Sequence, residues 1–337
     1  MKKIAIILAM TVGVTAALVL PSSVASESPE VKSDNKAKIT EHFNMMIVPD
    51  LSNRIDTEMR PKPVSDQRII QSILGNIQDG FLKSQGRRTN QKDRFQLLFT
   101  NQTLITKHRI NTEDLLLDFS QFDKQKHRID YIKGRGDNGS FNVDLSKMDN
   151  EVGELYKSAK QDIGGADIWS FMKNLNSSKI KVPGSIQTSR TMDGEEYKNE
   201  YRNILILLTD GYIEAGRYSN KKLCPSLSQN RMSQFRKSFI RNGNDRTIEQ
   251  FFIDEGYGIT PIMNPLLKEI EIIVMELDDR SVNQNGNATE DISDMDIIKL
   301  FWSDWLTKSG VKKYELYSKA ASESEVDNNI KDFIFLN

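Results

Sequence analysis

Four oxygen-bearing residues stand where a folded chain could gather them around a hard cation. Asp50 and Ser52 lie in Pro49-Asp50-Leu51-Ser52-Asn53-Arg54, Asp167 follows Gly164-Gly165-Ala166, and Asp210 lies in Thr209-Asp210-Gly211. Carboxylate and hydroxyl oxygens are hard donors, the set that suits Mg²⁺, Mn²⁺ or Ca²⁺. Carboxylates held close together need a positive partner, and two are on offer. In one arrangement Asp50, Ser52, Asp167 and Asp210 hold a divalent cation, with Arg54 turned to solvent or to an acidic ligand. In the other, the Arg54 guanidinium sits among the carboxylates as a built-in counter-ion. A fixed arginine of that kind can itself receive a partner's carboxylate through two parallel bonds.

These residues leave the ends of predicted strands or open a helix. Asn44 to Val48 is a continuous apolar run, the mark of a strand buried on both faces, and Asn203 to Leu208 is the most strand-like stretch in the chain. Phe95–Phe99, Leu115–Phe119, Ile270–Leu277 and Tyr314–Tyr317 read as further strands. Between them, apolar residues at 3–4 spacing predict helices. One is capped by Ser65 and carries Ile69, Ile70, Ile73, Leu74, Ile77 and Phe81. Others run over Asp149–Gln161, Ile168–Leu175, Ile297–Lys308 and Glu325–Phe335, and Trp302 and Trp305 read as core of the fourth of these five. Strands alternating with helices predict an α/β fold: a doubly wound, mostly parallel sheet with helices on both faces. In such a sheet ligands sit beyond the carboxyl ends of the strands, where strand order reverses. Two stretches exceed ordinary loop length, about 121–147 and 212–264, and are expected to be insertions on that core.

The order of these elements, the Asp50-x-Ser52 turn after the first strand, the Gly164-Gly165 turn and the strand ending in Thr209-Asp210-Gly211 resemble the von Willebrand factor type A domain family over about residues 41–337. The resemblance implies a metal-ion-dependent adhesion site: a divalent cation held by an Asp-x-Ser-x-Ser turn, a Thr on a second loop and an Asp on a third, with an open position for a carboxylate of a protein partner. Asp50, Ser52 and Asp210 match the family's first Asp, first Ser and last Asp. Arg54 stands in place of the second Ser and Ala166 in place of the Thr, with Asp167 beside it as a substitute oxygen donor. The loop Ile55–Val64 is longer than the family's usual connection to the first helix.

Composition narrows the classes further. Lys and Arg total 46 against 47 Asp and Glu, a net charge of −1 over 337 residues, which argues against a nucleic-acid partner held by bulk charge. A lone Cys224 leaves no disulfide framework or thiolate zinc cluster, and His42, His108 and His127 are too scattered for a histidine metal site. Met1-Lys2-Lys3, the uncharged run Ile4–Leu20, Pro21 and the small residues Ser23 and Ala25 read as a bacterial export signal over residues 1–25, cleaved after Ala25. Membrane contact is then expected only if that segment is retained. Residues 26–40 read as a polar tether. The expected product is an exported module of the periplasm or cell envelope that binds a protein and performs no covalent chemistry. Its alternatives are a structural subunit of an envelope assembly, with a non-metal remnant site paired to Arg54, and a metal-dependent hydrolase using Asp50 and Asp210. Arg135-Gly136-Asp137 reads as a Gly-rich turn, and the basic stretch around Met232, Phe235 and Phe239 as an ordinary surface helix.

Overall fold

Seven strands build one sheet in the computed structural model, which describes residues 38–336 except 85–86, 88–89, 136–138, 163–164, 183–188, 191–195, 214–225, 284 and 286. Residues 1–25, read as an export signal, together with Gly164, Cys224, and Gly136 and Asp137 of the Arg-Gly-Asp triplet, lie outside the described residues. The strands are β1 (Lys38–Pro49), β2 (Arg94–Leu97), β3 (Leu116–Asp118), β4 (Ser189–Arg190), β5 (Glu196–Leu208), β6 (Ile270–Leu277) and β7 (Lys313–Ser318). Their order is β3-β2-β1-β5-β6-β7, with β4 a short antiparallel partner at the start of β5. Every other pair is parallel except β2 with β3. The helices are α1 (Asp66–Gly75), α2 (Gln102–His108), α3 (Gln125–Ile132), α4 (Phe141–Gln161), α5 (Ile168–Lys173), α6 (Gln229–Asn242), α7 (Ile248–Asp254), α8 (Asp294–Lys308) and α9 (Glu323–Phe335). This is the doubly wound α/β architecture, and residues 37–337 form one compact unit.

Alternation along β1 sorts its side chains into two cores. Phe43, Met45 and Ile47 face one layer with Ile69, Ile70 and Ile73 of α1, Val152 and Leu155 of α4, and Ile330 and Phe333 of α9. Met46 and Val48 face the other, with Trp169 of α5, Phe235 of α6, Phe251 of α7 and Trp302 and Trp305 of α8. Burial of both faces is why the strand segments read as unbroken apolar runs.

The chain winds outward from β1 through β2 to β3, then returns to lay β5 on the other side of β1. Strand order therefore reverses between β1 and β5, whose ends pair as Pro49 with Leu208. The Asp50 amide donates to the Leu208 carbonyl at 2.8 Å and the Thr209 amide to the Met275 carbonyl at 3.0 Å, so the Asp50 and Thr209-Asp210 turns leave the sheet side by side.

Several expected boundaries shift. β1 begins at Lys38, taking three residues from the expected tether. α4 begins at Phe141, eight residues early, because Phe141, Met148, Val152, Leu155 and Ala159 form one buried stripe. This shortens the first insertion, whose remainder carries α3. The described part of the second insertion is no appendage. Met232 and Phe235 of α6 are fully buried, and Phe235 packs edge-on against Phe252 and Phe301. The apolar side of that basic stretch is thus spent on the protein's own core. No helix among the described residues is long and apolar enough to cross a membrane.

Candidate functional site

The reversal point places Asp50 first. Its carboxylate is 2 % exposed, with Oδ1 accepting from the Ser52 amide at 3.0 Å and Oδ2 from the Thr209 hydroxyl at 2.9 Å. Burial pushes the Asp50 carboxyl up, Arg54 opposes that, and the nearby Asp210 charge adds to the rise. Gly211 then turns the chain away at φ +88°. A β-carbon there would sit 2.8 Å from both Ile298 Cγ2 and Leu277 Cδ2, so the third residue of Thr-Asp-Gly is a steric requirement. The Trp302 indole donates to the Gly211 carbonyl at 2.8 Å and locks this turn to α8.

Asp210 already has a cation. Arg280 Nη2 donates to Asp210 Oδ2 at 2.6 Å, while Asp210 Oδ1 accepts from the Tyr212 amide at 3.1 Å. The Arg280 guanidinium lies 3.8 Å over the Tyr212 ring, and its side chain is 11 % exposed. The Tyr212 hydroxyl donates to Asp294 Oδ2 at 2.5 Å, and Asp294 also accepts from Arg236 of α6. A continuous polar chain thus joins the crevice to the second insertion. Sequence reading missed Arg280, although it stands three residues beyond the end of β6 and the strand-end rule that selected Asp50 and Asp210 reaches it equally.

Arg54 serves a different acid from those expected. It is 1 % exposed and donates from Nη1 and Nη2 to Asp66 Oδ2 and Oδ1 at 2.5 and 3.1 Å, a bidentate pair, with a further bond from Nη1 to the Asp50 carbonyl at 3.1 Å. Asp66 opens α1 and also accepts from Lys62 at 2.7 Å and from the Tyr156 hydroxyl at 3.2 Å. Burial would raise its pKa, but Arg54 and then Lys62 hold it down to about 2. The long loop Ile55–Val64 therefore has a purpose: it carries Lys62 back over the strand ends into this cluster. Beside it Glu276 takes φ +75° at the irregular end of β6, where pairing with β7 shifts register, and is 1 % exposed. Its Oε1 accepts from the Ala320 amide at 3.4 Å, and Oε2 has no hydrogen-bond partner among the described residues. Burial pushes its carboxyl up, and Asp66 pushes the same way.

Asp167 caps α5, its Oδ1 accepting from the Ser170 amide at 2.9 Å. Among the described residues no three His, Cys, Asp or Glu side chains come together as ligands for a metal ion. As arranged, the donors do not fit a divalent cation. Asp210 is paired with Arg280 at 2.6 Å, and a cation bridging Asp50 and Asp210 would have to displace that guanidinium. The crevice is a self-neutralised network of buried acids and arginines. No family model matches the chain, and no curated protein is significantly similar to it.

Proposed function

We propose that the chain is an exported, von Willebrand factor type A-like protein-binding module whose strand-end crevice is neutralised by its own arginines instead of a metal ion. The observation that carries this reading is the Asp210–Arg280 pair at 2.6 Å, at the point where strand order reverses. A guanidinium held by Asp210 on one edge and stacked on Tyr212 is pre-organised, and it offers a partner's carboxylate what a loaded cation would offer. Arg54 is sealed behind Asp66 and acts as an internal counter-ion. A metal-dependent hydrolase is the weaker reading, because the second acid it would use, Asp210, is already paired with Arg280 at 2.6 Å.

The test uses immobilised mature protein as bait in cell-envelope extract, comparing wild type with Arg280→Ala and Arg280→Glu by quantitative mass spectrometry. A partner retained by wild type and lost by both variants, with melting curves showing both folded, supports the reading. Equal retention by all three baits would refute it and favour an envelope subunit whose contacts lie on the insertions.

A further inference from the structure

At a separate place, a cavity of about 510 Å³ opens between the turn that follows α1 and helix α3 of the first insertion. That volume falls in the range of small-molecule sites. Leu82, Ile129 and Ile132 give it apolar walls, while Lys83, Arg87 and Lys133 bring three cations, and no carboxylate is among its described lining residues. The cations are not equivalent. Lys83 is paired with Asp79 at 2.5 Å, and Arg87 is held by Asp93 at 3.0 Å, by the Phe81 carbonyl at 3.0 Å and by His42 Nδ1 at 2.8 Å. Lys133 has no ion pair or side-chain hydrogen bond among the described residues, which leaves its charge for a ligand. Arg87 Nε and Gln91 Oε1, both buried and so turned away from the open cavity, have no hydrogen-bond partner among the described residues.

We propose that this cavity binds a single-chain aliphatic carboxylate, its tail between Leu82 and the Ile129–Ile132 face of α3 and its head at Lys133. The walls supply the burial that holds a hydrocarbon chain, and the uncompensated charge of Lys133 at the rim disfavours a cationic head. Because α3 belongs to the insertion, the site exists only through that added segment. It is independent of the strand-end crevice.

The experiment is isothermal titration of the mature protein with dodecanoate below its micelle concentration, beside dodecanol and dodecyltrimethylammonium as neutral and cationic matches. The expected result is saturable one-to-one binding of dodecanoate and none of the cation. Ile129→Trp, which fills the cavity, should weaken it by about tenfold or more, the equivalent of roughly 1.4 kcal/mol. Lys133→Glu, a surface change that leaves the fold alone, should weaken it by about threefold to tenfold and flatten its salt dependence. Absence of saturable binding, equal binding of all three amphiphiles, or affinity unchanged in Lys133→Glu would each overturn the proposal. Failure here leaves the crevice reading untouched, since none of these residues belongs to it.

Discussion

Removing either member of the Arg54–Asp66 pair should destabilise the protein, and by unequal amounts. Both side chains are sealed from water, and truncating one partner of a buried pair costs about 3–5 kcal/mol, because the survivor is left with an uncompensated charge. The survivors differ. In Arg54→Met, Asp66 keeps Lys62 at 2.7 Å and the Tyr156 hydroxyl at 3.2 Å, so the loss should fall near the lower bound, about 3 kcal/mol. In Asp66→Leu, Arg54 keeps, among the described residues, only its hydrogen bond to the Asp50 carbonyl at 3.1 Å, and Lys62 loses its ion-pair partner as well, so two buried cations repel and the loss should approach about 5 kcal/mol. The double variant Arg54→Met/Asp66→Leu should recover part of that loss, since no unpaired guanidinium remains. Urea unfolding followed by tryptophan fluorescence and circular dichroism measures all three, with coincident transitions as the check on two-state behaviour. Arg54→Met more damaging than Asp66→Leu, or both under about 1 kcal/mol, would refute the ion-pair account.

The same cluster predicts acid sensitivity. Asp66 has a folded pKa of about 2 against an ordinary 3.8, so its contribution of about 2 kcal/mol is present above pH 3.8 and lost as pH falls toward 2. His42 acts over a higher window. Burial first, then the charges of Arg87 and Lys92, lower its pKa to about 3, against the help of Asn199. The unfolded chain takes up that proton below pH 6.5 and the folded chain does not, so stability should fall between pH 6.5 and 3 by up to about 4–5 kcal/mol. A ring proton shift of His42 that stays constant from pH 7 to 4 in NMR checks the premise, and titration near 6.5 would contradict it. Gly211→Ala adds a left-handed backbone penalty and two contacts at 2.8 Å, and should cost about 2–4 kcal/mol by chemical denaturation. A loss under about 0.5 kcal/mol would mean the turn relaxes freely.

Much of this molecule was legible in residue order. The unbroken apolar runs at Asn44–Val48, Asn203–Leu208 and Ile270–Leu277 announced strands buried on both faces, and the strand-end rule put Asp50 and Asp210 side by side. Less was legible where pattern is shared between helix and loop. The stripe from Phe141 to Met148 is diluted by Asp144, Ser146 and Lys147, and the aromatic residues of α6 and α7 sit among arginines and amides, so a core-forming segment read as an insertion. The site's cations were the least legible part. Ion-pair choice depends on which side chains the third dimension brings within about 3 Å, and spacing carries no information about that. Arg54 stood as one of two candidate counter-charges for Asp50, Asp167 and Asp210, but nothing in the spacing tied it to Asp66, and Arg280 belonged to no motif.

Arg280 is proposed to hold the place a cation would take in the strand-end crevice. Thermal unfolding of residues 26–337 in EDTA and then in millimolar Mg²⁺, Mn²⁺ or Ca²⁺, beside Asp210→Ala, tests it directly. A ligand that binds only the folded state at about a hundred times its Kd adds roughly 2.7 kcal/mol, a rise of several degrees in Tm. Wild type should melt at the same temperature in EDTA and in every metal. A metal-dependent rise in wild type that Asp210→Ala abolishes would contradict the account, because it would show a cation displacing Arg280 from the crevice.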